Sequence, residues 1–436
     1  MRRAILSSGL AVGLTRLAGA GLGLSLTVLL GRYLGPGGLG AYGYTLIVLS
    51  LVAVPVSNGW STVLLRQVSG ALHTQRWAEP RGMMLRGVQL AGVLTLCVTL
   101  LGFGLQTLLD AQLPAQFDLR LWLPLVAVLF FDQLSALRQS TLRGLNLPVW
   151  GQLPEMMLRP ALIVVLFWLA SRWLDAALGL RHAFWALAAA SCVAALAGGG
   201  VLRAKAPASL RLAAPVFHTR AWLKSAGALS GNSFLLILNA SVDVLLLGAL
   251  GSLEQVGVYR VAAQVALFSG FVYTALNMLA TQKFAFLKAK GDAEALRSTA
   301  VFMARLALLG ALPLPLIFWA FGAGLLERIF GTAFVPALGP MFLLFFGQLV
   351  NATVGMASAL LIMSGKESKV LRFTLLAVGL NALLSLLLIP EWGAMGAATA
   401  NMCAMIVWNV GIWIYLRRTM GIDTSVFGWH GRQHQS

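Results

Sequence analysis

Two side chains stand out by charge and position. Arg16 and Asp132 lie deep inside stretches that are otherwise almost free of charge. For a helix that starts near residue 5, Arg16 sits roughly 18 Å from its end at ~1.5 Å per residue. A charge at that depth in a bilayer is costly, so it faces other protein or a wet cavity and is a functional candidate by default. An arginine there can hold an anion through forked, charge-assisted hydrogen bonds. An aspartate can carry a proton or a cation. Gly13, Ala20, Gly23 and Thr27 share the helical face of Arg16 as a small-residue stripe, which lets this face pack closely or border a cavity. Ser135, Gln139 and Arg143 continue the face of Asp132, and Arg138 lies on a different face. The same residues leave open a purely structural lock between Arg16 and Asp132.

Other polar residues recur along apolar segments. They are Ser57, Asn58 and Ser61; Asn232, Asn239 and Asp243; Arg260, Gln264, Thr274, Asn277 and Thr281; and Gln348, Asn351 and Ser358. Converging stripes of this kind predict a polar, net cationic central cavity, with Asp243 a second candidate for ion coupling. Asn and Ser on membrane helices also serve as interhelical hydrogen bonders. Arg138, Arg143 and Arg305 lie within a few turns of a helix end and can snorkel to the surface. Glu155 and Arg159 are four apart, the spacing of an ion pair along one helix.

Enzyme motifs are missing. The chain has no GxxxxGK[ST] loop, no HExxH, no GxSxG and no DxD pair. The five histidines fall in loops or the tail, and Cys97, Cys192 and Cys403 lie in apolar runs without metal-ligand spacing. The net charge of +18 comes without an aromatic-interleaved basic patch, which argues against nucleic acid and for loop cations that set membrane orientation.

These residues must be positioned by membrane helices. Of the 436 residues, 59% are hydrophobic and 11% charged, against roughly 25% charged in a soluble domain. Backbone groups in lipid must bond within their own segment, so the spans are helices. Runs of the ~20 residues needed for a crossing predict twelve, near 5–33, 38–66, 84–109, 119–144, 154–174, 182–203, 222–250, 255–281, 298–322, 336–363, 368–389 and 391–416. The start, MRRAILSSGL, reads as the beginning of a retained first helix, because the apolar run after it is too long for a signal peptide. With both termini inside, 25 of the 32 Lys and Arg fall on the inner side. Arg32, Arg120, Arg172, Arg181, Arg260 and Arg328 fall outside, and Arg16 lies mid-span. That asymmetry fits an even count.

The chain also repeats. LGPGGLGAY (Leu34–Tyr42) and LGSLEQVGVY (Leu250–Tyr259) both read Leu-Gly, a few residues, then Gly-x-Tyr, about half a chain apart. The expected organisation is therefore an N-terminal six-helix bundle (1–203), an inner linker (204–221), a C-terminal six-helix bundle (222–417) and an inner tail (418–436). Six is even, so the repeats are parallel, as in some transporters. The turn glycines supply the backbone angles of a tight outer turn.

Four blocks carry a resemblance: GRYLGPGGLGAYGY, RGLNLPVWGQLPEMMLRP (Arg143–Pro160), LGSLEQVGVYRVAAQVA (Leu250–Ala266) and the stretch Leu361–Ala400 with its Ser-Gly-Lys turn and Ile-Pro-x-x-Gly-x-x-Gly-Ala-Ala. In these the chain resembles the bacterial polysaccharide and O-antigen flippases of the multidrug/oligosaccharidyl-lipid/polysaccharide (MOP) superfamily. The resemblance implies an all-α protein of the bacterial inner membrane, with two bundles around a central cavity. It implies export of a lipid-linked oligosaccharide, usually on undecaprenyl pyrophosphate, alongside membrane lipids and the glycosyltransferases and polymerase of the same pathway. No cofactor is implied beyond proton or sodium coupling. In the similar peptidoglycan-precursor flippases, arginines on the first helix and in the cavity hold the pyrophosphate, and Arg16 and Arg260 occupy comparable places here. The substrate-binding candidates are thus Arg16, Arg260, Arg138, Arg305, Asn232, Asn239, Gln264, Gln348 and Asn351, with Asp132 and Asp243 for ion coupling. A small-molecule antiporter of the same superfamily and a membrane enzyme acting on polyprenol-linked sugars are the competing readings.

Overall fold

The structure is a computed structural model that describes residues 2–109, 119–173 and 178–428, with side chains described in 18–104, 121–173 and 178–428. The described residues are helical with short connections and contain no strand. Nine of the helices are long and apolar enough to cross a membrane. There are ten if the pair Leu253–Ser269 and Phe271–Lys290, bent by 47°, is one span. Two of the nine, Ala18–Thr74 with 57 residues and Glu367–Met420 with 54, exceed twice the ~20 residues of a crossing. Each contains one glycine with non-helical backbone, Gly35 and Gly393. Outward faces are rich in large apolar side chains such as Leu96, Leu101, Phe302, Leu309, Trp319 and Phe321. Such a surface suits lipid rather than water, and the protein is a multi-pass membrane protein.

By its contacts the chain forms two units, Met1–Leu34 with Ala41–Ala240, and Gly35–Gly40 with Ser241–Ser436. The first unit holds α1 (Arg2–Val54), which runs through a π-helical turn (Pro55–Trp60) into α2 (Ser61–Thr74). Then come α3 (Ala78–Leu109) and α4 (Leu119–Gly144). The short α5 (Pro148–Leu153) leads through a second π turn (Pro154–Leu158) into α6 (Arg159–Trp173). Next are α7 (Leu180–Lys205), α8 (Ala208–Leu212) and α9 (Thr219–Leu250), whose last ten residues belong to the second unit. The core of this unit is built on Trp60, Val63, Leu64, Met83 and Trp222. Trp60 and Trp222 meet edge to face at 6.0 Å, and the Trp60 indole N–H donates to Met83 O at 3.1 Å, so the buried indole is satisfied.

The second unit holds α10 (Leu253–Ser269), α11 (Phe271–Lys290), α12 (Ala293–Ala311), α13 (Pro313–Phe330), α14 (Leu338–Val354), α15 (Ala357–Ile362) and α16 (Glu367–Met420). Ser252 caps α10 by accepting from Gln255 N at 3.2 Å, and Gln255 returns a bond to Ser252 N. Gly291 ends α11 in the left-handed region, and Asp292 caps α12 by accepting from Ala295 N at 2.9 Å. Ile422, Thr424 and Ser425 of the tail are buried. There Thr424 Oγ1 donates to Val354 O and Val426 N to Thr353 O, both at 2.9 Å, so the tail satisfies carbonyls at the end of α14.

The first copy of the repeat does more than turn. Gly35 breaks α1 at φ 66°, next to Pro36. Gly40 and Gly257 then serve close approach within the second unit. A Cβ on Gly40 would fall 1.7 Å from Leu253 O, and one on Gly257 would fall 1.9 Å from Pro36 O. The two copies of the Gly-rich motif therefore pack backbone to backbone, which no larger residue permits.

Candidate functional site

A polar cavity of about 430 Å³ opens in the first unit. One wall is a single face of α4: Val128, Asp132, Ser135, Gln139 and Arg143. These residues follow one another at three- and four-residue steps, so a helix stacks them in a row. This is the face of Asp132 expected from the sequence. The facing wall comes from Ser50 on α1, Ser57 and Asn58 on the first π turn, Glu155 on the second, and Arg159 at the start of α6.

Both π turns begin with a proline, Pro55 and Pro154. Proline removes an amide hydrogen and clashes with the preceding turn, so the local register widens. Ser57, Asn58 and Glu155 ride on these widened turns. Ser61 Oγ donates to Val56 O at 3.0 Å, five residues back, which satisfies a carbonyl inside the first π turn.

Two ion pairs cross the cavity wall. Arg159 grips Asp132 with both ends of its fork, Nη1 to Oδ1 at 2.8 Å and Nη2 to Oδ2 at 3.2 Å. Arg138 donates to Glu155 from a nearly buried position, with its guanidinium against Gly198. The expected pair between Glu155 and Arg159 along one helix is thus replaced by two pairs to α4. The π turn between them spoils the four-residue stacking on which that pair depended. Asp132 is paired with Arg159, which fills the structural role considered for Arg16. Arg143 lines the cavity, is exposed, and makes no ion pair or hydrogen bond among the described residues. The lining carries two carboxylates and two guanidinium groups, and Arg138 beside the wall neutralises Glu155.

A second cavity of about 420 Å³ shares Leu46, Glu155 and Arg159 with the first. Its wall includes Gly19, Ala20 and Gly23, the small-residue side of α1. Arg16 precedes Ala20 by one helical turn in the sequence, and its side chain lies outside the described residues.

The second unit treats its acid differently. Asp243 is 5% exposed and accepts from the Tyr259 hydroxyl, from Val244 N at 2.9 Å and from Asn401 Nδ2 at 3.1 Å. Tyr259 is the tyrosine of the second Gly-x-Tyr motif, so the repeat supplies a partner for the acid. The tyrosine of the first copy, Tyr42, stacks on Phe184 at 5.5 Å.

The other candidates are spread out. Arg260 and Gln264 are half-buried on α10. Gly270 then breaks the expected continuous helix, so Thr274, Asn277 and Thr281 no longer continue their row. The Gln348 amide oxygen packs against this break, 2.7 Å from where a Cβ on Gly270 would lie. Thr274 and Thr281 hydroxyls bond carbonyls of their own helix, Gly270 O and Asn277 O. Asn351 is buried, and its Oδ1 has no hydrogen-bond partner among the described residues. Arg305 is exposed and donates to Val426 O of the tail at 3.1 Å. Asn232 is exposed and Asn239 half-buried on α9. Glu155 and Arg159, which their spacing read as an ion pair along one helix, line the cavity; the two prolines beside polar residues in apolar helices were the available signal.

The fold is that of MOP-superfamily membrane transporters. An inward-facing multidrug resistance MATE family transporter of that superfamily superposes with a TM-score of 0.74, over 94% of this chain and 98% of its own, at 16% identity. The lipid II flippase MurJ in an inward closed conformation gives 0.71, over 95% and 87%, at 14% identity. A MOP-superfamily transporter from Pyrococcus furiosus, described as having a binding pocket of reversed polarity, gives 0.62 over 95% of both chains at 14% identity. At these identities the likeness shows the fold. The curated proteins contain no significant match. A family model, described as polysaccharide biosynthesis protein, matches residues 5–282, and the chain belongs to that family.

Proposed function

We propose that this protein is a flippase that moves a polyprenyl-pyrophosphate-linked oligosaccharide across the bacterial inner membrane for cell-surface polysaccharide synthesis. The observation that carries the reading is the polar cavity of the first unit, whose hydroxyl and amide groups on α1, α4 and the π turns suit the many hydroxyls of a glycan. Membership of the polysaccharide biosynthesis family supports the substrate class. A pyrophosphate cannot enter hydrocarbon bare. Arg143 is the lining cation able to meet it without first breaking an ion pair. Arg159 is available once Asp132 lets go, and the prenyl chain stays in lipid. Alternating access then turns on exchange of the Arg159 partner at Asp132 and on entry of a proton or sodium ion at Asp243. The reading expects twelve spans with both termini inside, and it is supported among the described residues by ten candidate spans, two of them long helices broken at Gly35 and Gly393. Partners on this reading are the glycosyltransferases and polymerase of the same pathway.

The two lining carboxylates, Asp132 and Glu155, favour one competitor, an ion-coupled small-molecule antiporter of the same superfamily. The deciding experiment is reconstitution of the purified protein in vesicles loaded with a lipid-linked oligosaccharide. The flippase reading expects the protein to expose the glycan to an external glycosidase. Failure to do so, with proton- or sodium-driven uptake of a cationic dye instead, would establish the antiporter.

A further inference from the structure

A third cavity, about 670 Å³, opens in the first unit and shares no lining residue with the polar one. It sits where the start of α3, the end of α7 and the short α8 come together. Three arginines line it, Arg81, Arg203 and Arg211, and no carboxylate does. Among the described residues none of the three guanidinium groups makes an ion pair or a hydrogen bond. The remaining lining is mostly apolar and partly open to the outside, with Leu85 44% and Leu212 82% exposed. At Gly199 the wall is open: a Cβ there would meet nothing within 4 Å. Arginines at helix ends on their own reflect membrane orientation. Convergence of three on one apolar-walled hollow asks for a ligand that is anionic at one end and greasy at the other. Basic hollows between membrane helices select anionic headgroups in this way.

We propose that this cavity seats an anionic glycerophospholipid of the surrounding bilayer. Its phosphodiester lies among Arg81, Arg203 and Arg211, and an acyl chain runs beside Leu85 over Gly199. The guanidinium fork suits a phosphodiester, which offers two unesterified oxygens side by side. Inorganic phosphate would use the arginines and leave the apolar wall without a partner, so a lipid fits both halves of the cavity. The site is independent of the flippase reading, because it lies away from the polar cavity.

The test is native mass spectrometry of the full-length protein in detergent, titrated with dioleoyl phosphatidylglycerol, dioleoyl phosphatidylcholine and inorganic phosphate. Phosphatidylglycerol is expected to bind at least tenfold more tightly than phosphatidylcholine and to resist displacement by millimolar phosphate. The Arg81→Gln/Arg203→Gln/Arg211→Gln variant will lose that preference. Gly199→Leu keeps all three charges, has room for its side chain, and will block phosphatidylglycerol at least tenfold by filling the cavity. If the triple variant does not fold, the single Arg203→Gln change at an exposed position will still weaken phosphatidylglycerol at least threefold. Equal binding of the two lipids, displacement by phosphate, or an unchanged affinity in Gly199→Leu or in Arg203→Gln would overturn the proposal.

Discussion

Asp132 in the first unit and Asp243 in the second have a similar sequence setting, a lone acid inside an apolar helix, yet the fold neutralises them differently. Asp132 is gripped by an opposite charge, the Arg159 fork, on the wall of a cavity. Asp243 is held away from the surface by a phenol, an amide and a backbone N–H. A charge pair on a wet wall can exchange partners with an anionic ligand at modest cost, because water and ligand replace what is lost. A carboxylate held by neutral donors has no such exchange open to it. It responds instead to a proton or a small cation entering its shell. On the proposed function, this difference suits substrate contact in the first unit and ion response in the second.

The comparison can be broken most strongly at the pair behind Asp132. Arg138 is 5% exposed and ion-paired to Glu155. Glu155→Ala strands that guanidinium, and loss of one partner of a buried pair costs about 3–5 kcal/mol. A large fall in the thermal unfolding midpoint in detergent is expected, with recovery in Glu155→Ala/Arg138→Leu. An unchanged midpoint in the single variant would show that the pair does not brace the cavity.

Next in size is Tyr259→Phe, which removes a hydrogen bond to a carboxylate, about 1.5–3 kcal/mol. The account expects a lower unfolding midpoint and altered ion dependence of transport, without loss of glycan binding. Equal loss of binding would erase the division between the two units. Arg143→Gln probes the opposite side. Arg143 has no protein partner among the described residues, so stability will hold while transport of a pyrophosphate-linked substrate falls about tenfold, the effect of ~1.4 kcal/mol.

The smallest effect lies in the tail. Burial pushes the Asp423 carboxyl upward. Bonds from the Trp413 indole and Ser425, with the Arg417 charge, outweigh it and hold Asp423 below its ordinary value of 3.8. A carboxylate depressed in the folded state stabilises above its unfolded pKa, and that contribution fades as the pH falls through its lower folded value. Trp413 fluorescence will therefore be flat above pH 5 and change only below about pH 4, and Asp423→Asn will abolish the change.

Much of this was legible in the sequence. The face Asp132, Ser135, Gln139, Arg143 follows from helical spacing alone, because α4 is regular across it. The Gly-x-Tyr repeat was visible too, although its tyrosines serve partners that local patterns do not name: Phe184 for one, Asp243 for the other. What stayed hidden depends on broken periodicity. The π turns after Pro55 and Pro154 shift the register, so an apparent Glu155–Arg159 pair becomes two crossings to α4. The predicted straight helix bends at Gly270, where Gln348, 78 residues further on, packs against the glycine.

The central claim is that the glycan rests in the polar cavity of the first unit. It is tested most directly by placing a single cysteine at Gln139, after replacing Cys97, Cys192 and Cys403, and measuring its alkylation by a water-soluble maleimide in vesicles. The account predicts that a lipid-linked oligosaccharide slows labelling at Gln139→Cys severalfold while leaving a cysteine at exposed Leu212 unaffected. Labelling at Gln139→Cys that is unchanged by a substrate the protein is actively moving would contradict it.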